Sequence, residues 1–206
     1  MRRHLVIYAK APLLGAVKTR LARDIGAAAA LRFYEETLRA LVGRVARDAP
    51  WRCWLAVAPG NFASDARRRW RWLPRELRIV GQGRGDLGER MAGSFARLPP
   101  GPAVLIGSDI PAIRRPHIEA AFAALGRHDA VFGPAEDGGY WLVGQRRLHA
   151  MPGLFRGVRW SSSHALADTL ANLAPGETHA RIATLADVDD GAAYALSPFA
   201  RRGVIL

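Results

Sequence analysis

The only two lysines of the chain stand in one short stretch, Lys10-Ala11-Pro12-Leu13-Leu14-Gly15-Ala16-Val17-Lys18-Thr19-Arg20-Leu21, although the chain carries 30 lysines and arginines in all. Elsewhere the composition drives basic positions to arginine. Lysine is a compact, mobile point charge and arginine a planar fork, so a position that keeps lysine against that trend is a candidate phosphate contact. The stretch follows the apolar run His4-Leu5-Val6-Ile7-Tyr8-Ala9 and precedes an Ala-rich helical pattern. A strand, a Gly/Pro-bearing loop with the cations Lys10, Lys18 and Arg20, and a helix form a setting in which backbone N–H groups and cations meet an anion.

Carboxylates supply the complementary chemistry. Asp109, in Gly107-Ser108-Asp109-Ile110-Pro111, ends a very apolar run. A carboxylate there suits Mg2+, which takes one or two carboxylates plus substrate phosphates. In Asp187-Val188-Asp189-Asp190-Gly191, an extended chain would put Asp187 and Asp189 on one side, and Asp190 would cap a helix. In Pro134-Ala135-Glu136-Asp137-Gly138-Gly139-Tyr140, Glu136 or Asp137 could orient a hydroxyl or act as a base, and the paired glycines would let backbone approach a ligand. The hydroxyls of Ser161, Ser162 and Ser163, after Trp160, could cap the next helix or hold an anionic group. Other chemistries are disfavoured. Val17 stands where a Walker A loop needs glycine before Lys-Thr, no Gly-x-Ser-x-Gly elbow occurs, the six histidines lack metal-ligand spacing, and lone Cys53 sits in an apolar run.

Apolar runs alternate with helical patterns and must position these groups. Strands are expected at 4–9, 51–58, 77–80, 103–107, 129–133 and 140–144, with a further one at 179–183. Helices are expected at 27–47, 63–72, 89–98, from Pro116, at 163–173 and from Asp190. The alternation predicts one domain, 1–206, with an α/β fold: a three-layer α/β/α sandwich around a mostly parallel sheet, with 103–107 as its central strand. In such sheets ligands sit beyond the carboxyl ends of the strands. Lys10, Gln82, Asp109 and Glu136 each directly follow an apolar run, as that rule requires of a site.

The formal net charge of +12 raises nucleic acid as a partner. Arg67-Arg68-Arg69-Trp70-Arg71-Trp72 is the best local case, but it reads better as a solvated helix face with Trp70 turned to the core. Carboxylates at a site would repel a polyanion, so nucleic acid is disfavoured. No apolar run has the length of a membrane span, and a strand opens the chain without a visible targeting signal, so a cytoplasmic protein is expected. A homodimer is left open.

Tyr8-Ala9-Lys10-Ala11-Pro12, Gly15, Lys18-Thr19-Arg20-Leu21, Gly85-Asp86-Leu87-Gly88-Glu89-Arg90-Met91, Gly107-Ser108-Asp109-Ile110-Pro111 and Glu136-Asp137-Gly138-Gly139-Tyr140-Trp141-Leu142-Val143-Gly144 together resemble a bacterial family of DUF2064 type. That family is assigned to the nucleotide-diphospho-sugar transferases of glycosyltransferase type A fold. The same order is similar to the nucleotidyltransferases of that superfamily. The resemblance implies a donor that is a nucleotide or nucleotide sugar, a small-molecule acceptor, and Mg2+ or Mn2+. It implies a nucleotide side made by Lys10, Ala11, Pro12, Gly15, Lys18, Thr19, Arg20, Gln82, Gly88 and Arg90, with Lys18 and Arg20 on the phosphates. Asp109, Asp187 and Asp189 would hold the metal, and Asp137, Gly138, Gly139, Tyr140, Ser161 and Ser162 would face the second substrate. Lys18, Arg20, Asp109 and Glu136 are the catalytic candidates. Lys10-Ala11-Pro12 replaces the glycine-rich opening of nucleotidyltransferases, and Ser108 breaks the double-aspartate signature of many sugar transferases. Glycosyl transfer is the first expectation and nucleotidyl transfer the alternative.

Overall fold

The structure, a computed structural model, describes residues 1–197, 199 and 200; Pro198 and 201–206 of the expected 1–206 domain lie outside the described residues. The strands are β1 (His4–Lys10), β2 (Arg52–Ala58), β3 (Arg78–Gly81), β4 (Ala103–Ile106), β5 (Ala130–Pro134), β6 (Tyr140–Gln145) and β7 (His179–Arg181). The helices are α1 (Leu21–Ile25), α2 (Ala27–Val45), α3 (Ala66–Arg69), α4 (Leu87–Arg97), α5 (Arg115–Ala124), α6 (Ala165–Ala171) and α7 (Gly191–Leu196). The strands form one sheet in the order β3-β2-β1-β4-β6-β5-β7, with β6 antiparallel to both neighbours and every other pairing parallel.

Alternation along β1 builds the three layers. Leu5, Ile7 and Ala9 face one side and pack with Leu38, Leu41, Val42 and Val45 of α2 and Ile118, Ala121 and Phe122 of α5. Val6 and Tyr8 face the other side and join Met91 and Phe95 of α4, with Leu166 and Leu170 of α6 packed against that cluster. The fully buried Ala103-Val104-Leu105-Ile106 lies between β1 and β6, as its unbroken apolar character requires.

Three local expectations differ. The helix expected at 27–47 is preceded by a separate short one, α1, because Gly26 at φ +84 and ψ +151 breaks the chain between them. The helix at 63–72 shrinks to α3 after a 3-10 turn, and its arginines are occupied. Arg67 donates to the carbonyls of Pro74, Arg75 and Leu77, Arg68 meets Asp65, and Arg69 meets Glu35. Trp70 is buried, as expected, and its Nε1 donates to Glu35 at 3.3 Å. The serines before α6 do not cap it; Ser162 Oγ instead donates to Arg159 O and accepts from His164 N in the preceding turn.

Candidate functional site

Since β1, β3 and β4 run parallel, their carboxyl ends share one rim, and Lys10, Gln82 and Asp109 arrive there together. The rim opens into a cavity of about 660 Å³ whose lining includes Lys10, Lys18, Gln82, Arg90, Asp109, Asp137, Gly139, Tyr140, Ser161, Ser162 and Asp187.

Lys18 is the hub. Its Nζ lies 2.8 Å from Asp189 Oδ1 and 3.3 Å from Asp109 Oδ2, and its side chain is 4% exposed. Its backbone has φ +46, a left-handed conformation that costs a residue with a Cβ about 1–3 kcal/mol. Leu21, buried at the start of α1 with Phe33 and Val188, holds the end of the loop in place. Arg20 Nη1 also reaches Asp189, at 3.3 Å, but its side chain is largely exposed.

The late aspartates reach the site through the tail. After β7 the chain continues beside β5, with Ile182 N donating to Phe132 O and Leu185 N to Pro134 O. Trp141 Nε1 holds the Ala183 carbonyl at 3.0 Å. Val188 is buried in the α1–α2 cluster, which directs its neighbours Asp187 and Asp189 the other way, to Lys18. Asp24 Oδ2 accepts from Gly191 N, and Asp190 caps α7 through Ala193 N, as expected.

One carboxylate oxygen from each of Asp109, Asp187 and Asp189 falls within 4.8 Å of the others. Burial and the charge of Asp189 push Asp187 up to about 6. Burial would raise Asp189 too, but its bond from Lys18 and the lysine charge hold it below the usual carboxylate range. Burial would lower Lys18, yet Asp109, Asp189 and Asp187 outweigh it and raise the ammonium above its ordinary value. One lysine does not neutralise three crowded carboxylates. An all-oxygen, acidic set of this kind fits a hard divalent cation such as Mg2+ or Mn2+.

The far wall is braced by Tyr34, which the sequence expectation missed, and by Gln82, which it included. The Tyr34 hydroxyl accepts from Lys10 N and donates to Lys10 O, fixing the end of β1 at both backbone groups. Burial raises this phenol well above its usual value, so it stays protonated. Gln82 is buried and donates to the carbonyls of Ala9 and Ala56, while its Oε1 accepts from Arg90. Tyr34 lies inside a helical pattern and looks like any core aromatic, so no sequence signal distinguishes it.

Other expected residues have different surroundings. Gly85-Asp86-Leu87-Gly88-Glu89 includes the capping box that starts α4, with Asp86 and Glu89 bonded to each other's backbone N–H. Gly88 does not line the cavity; a Cβ there would stand 2.7 Å from Phe155 O and 2.9 Å from Trp160 Cζ2, so its bareness serves packing. Likewise Gly138, at φ +84, gives room to the Ser163 backbone rather than to a ligand. Ala11, Pro12, Gly15, Thr19, Arg20 and Asp189 border the cation loop and acidic cluster without lining the cavity, and Glu136 is exposed outside it. Asp137 does line the cavity, with Oδ1 accepting from Gly139 N. Among the described residues no helix is long and apolar enough to cross a membrane.

Residues 39–162 match the family described as "Uncharacterized protein conserved in bacteria (DUF2064)". No curated protein matches the chain. Among solved structures, the chain is similar to a protein from Desulfovibrio desulfuricans G20 given the provisional name nucleotide-diphospho-sugar transferase, at 27% identity and TM-score 0.88, over 99% of this chain and 90% of that one. It shares its fold with 4-diphosphocytidyl-2C-methyl-D-erythritol synthase from Anaerococcus prevotii, at 11% identity and TM-score 0.64, over 98% of both chains. The fold also matches glucosyl-3-phosphoglycerate synthase from Mycobacterium tuberculosis, solved with Mn2+, uridine diphosphate and phosphoglyceric acid. That match has 12% identity and TM-score 0.54, over 90% of this chain and 69% of that one.

Proposed function

From the premise that this chain belongs to the DUF2064 family and has the nucleotide-diphospho-sugar transferase fold, we propose that it is a metal-dependent glycosyltransferase that uses a nucleotide sugar. The observation that carries this reading is the meeting of Lys18 with Asp109, Asp187 and Asp189 at the rim where β1 and β4 end. The fold relative solved with Mn2+ and uridine diphosphate supports it.

Asp109, Asp187 and Asp189 would hold the metal, which when bound would offset charge on the donor's phosphates. Lys18 is held rigid and charged by its carboxylates, so it is preorganised to stabilise negative charge growing on the nucleoside diphosphate as it leaves. Lys10 adds positive charge on the cavity lining, and Arg20, paired with Asp189, adds it at the border of the acidic cluster. Gln82 and Tyr34 keep the ends of β3 and β1 in place, and Arg90, tied to Gln82 and the Asp86 carbonyl, presents a fixed guanidinium to the nucleoside side. Asp137, on the opposite wall, is the carboxylate available to take the acceptor's proton.

One observation favours a second reading. Glu136 stands outside the cavity, and a nucleotidyl transfer, in which a substrate phosphate attacks the α-phosphorus and pyrophosphate leaves, needs little base catalysis. Incubation with nucleoside triphosphates and with nucleotide sugars, each with Mg2+ or Mn2+, separates the two. Consumption of a nucleotide sugar with release of nucleoside diphosphate supports glycosyl transfer. Pyrophosphate release from a triphosphate supports the alternative, and binding of neither class sinks both.

A further inference from the structure

The cavity has two ends of opposite chemistry. Lys10, Lys18, Asp109 and Asp187 line one; Tyr8, Met91, Leu105, Val143, Tyr140 and Trp160 line the other. The floor of the second end, Leu105 and Val143, belongs to the central strands β4 and β6, whose register pairs these two residues directly. One wall is the first turns of α4. The other is Trp160, wedged against Gly88 and held by Tyr140 and Phe155 at ring-centroid distances of 6.3 and 6.5 Å.

A site for a sugar or polyol needs free hydrogen-bond partners, because each buried hydroxyl left unpaired costs about 1–3 kcal/mol. This end offers few, Ser161, exposed beside Trp160, being a lining hydroxyl without a hydrogen bond among the described residues. The Tyr8 hydroxyl is engaged by the Arg90 carbonyl at 2.8 Å and Ser94 Oγ at 2.7 Å. The Tyr140 hydroxyl turns to Thr169 Oγ1 at 3.4 Å, itself bonded to the Ala165 carbonyl. Ser162 Oγ is committed within its own turn. Trp160 Nε1, a donor without a partner among the described residues, is shut off from the cavity and offers a ligand nothing.

We propose that the second substrate of this enzyme has an apolar, ring-shaped body that enters the Tyr8–Met91–Leu105–Val143–Trp160 pit, with its reacting group toward Lys18 and Asp109. This rests on the transferase reading above and names its acceptor class as aromatic or cyclic apolar rather than sugar or polyol. Apolar surface in the pit rewards a ring in proportion to the area it removes from water, and gives a polyol no return.

The test compares two phosphomonoesters, phenyl phosphate and glycerol 3-phosphate, by calorimetric titration of the whole protein with Mn2+, with and without a saturating nucleotide. Phenyl phosphate is expected to bind at least tenfold more tightly and to keep that preference beside the nucleotide. Trp160→Ala is expected to reduce the preference below threefold, and Trp160→Phe, which keeps an aromatic wall, to retain most of it. If Trp160→Ala does not fold, Val143→Thr puts a hydroxyl on the floor at unchanged volume and is expected to weaken the preference severalfold. Equal affinities, binding of neither ester, or displacement of phenyl phosphate by the nucleotide itself would each overturn the proposal, the last because a nucleobase would then fill the pit. Failure of every nucleotide and nucleotide sugar to bind, with the aromatic preference intact, would refute the transferase reading and leave the apolar pit standing.

Discussion

Replacing Lys18 by Met removes one positive charge from among three carboxylates and changes little else. The side chains are similar in length, and both residues bear the same cost of a positive φ. At an effective dielectric of roughly 20, a unit charge at 3.3 Å from Asp109 is attracted by about 5 kcal/mol, and at 2.8 Å from Asp189 by about 6 kcal/mol. Most of that gross attraction is offset by the cost of desolvating the lysine, which the variant no longer bears. Breaking a buried pair costs about 3–5 kcal/mol. Asp109 and Asp189 are 45% and 34% exposed, so water takes up part of the loss and the expected destabilisation is about 1–3 kcal/mol.

The sign with pH follows from the directions of the shifts. Asp187, raised to about 6, favours the folded state most at low pH, and that contribution is lost as pH rises through about 6. Lys18, raised, contributes stability below the ordinary lysine value and loses it only as pH rises through its own higher one. The deficit of Lys18→Met is therefore greatest from above pH 6 up to the lysine range, and narrows as Asp187 takes up a proton. A divalent ion should partly replace the missing charge, so Mn2+ should stabilise the variant more than the parent per bound ion. Urea denaturation at pH 7.5 and pH 5, with and without Mn2+, measures all of this. A variant as stable as the parent at pH 7.5, or a deficit that widens on acidification, would show that the three carboxylates do not depend on Lys18 for compensation.

Other substitutions probe separate parts of the site. Asp109→Asn should weaken Mn2+ binding at least tenfold in calorimetry while leaving the melting temperature within a few degrees, since a metal ligand is lost and little packing changes. In the parent, Mn2+ affinity should fall as pH drops below about 6, approaching tenfold per unit, because the ion must displace the proton on Asp187; a flat profile between pH 7 and 5 would remove Asp187 from the ligand set. Gln82→Ala removes bonds to the Ala9 and Ala56 carbonyls and frees Arg90, so it should cost about 1–3 kcal/mol in chemical denaturation and weaken nucleotide binding. Asp137→Asn should lower the rate of glycosyl transfer at least tenfold, with Glu136→Gln within threefold of the parent in the same assay; the reverse order would place the base on the outer residue.

Much of the site was legible because its residues are unusual for their surroundings. Lysines in an arginine-rich chain, Asp109 at the end of an unbroken apolar run, and Asp187 and Asp189 on either side of an apolar residue each stand out locally. The parallel sheet was legible too, since alternating strands and helices leave few other arrangements, and the rule that ligands meet strand ends then collects Lys10, Gln82 and Asp109 on one rim. Glu136 shows where that logic stops: it also follows a strand, but β5 returns as β6 through a turn whose outer side it occupies, while Asp137 faces the cavity.

What the sequence determined by itself is the local chemistry and the order of elements, because periodicity, caps and residue type act over a few neighbours. Tertiary structure alone decided that β6 inserts antiparallel between β4 and β5, that Tyr34 clamps the backbone of Lys10, that Gly88 and Gly138 yield to protein rather than to ligand, and that an apolar pit adjoins the charged end of the cavity. These are contacts between residues tens of positions apart, settled by which surfaces fit once the core closes, and no spacing in the chain records that fit.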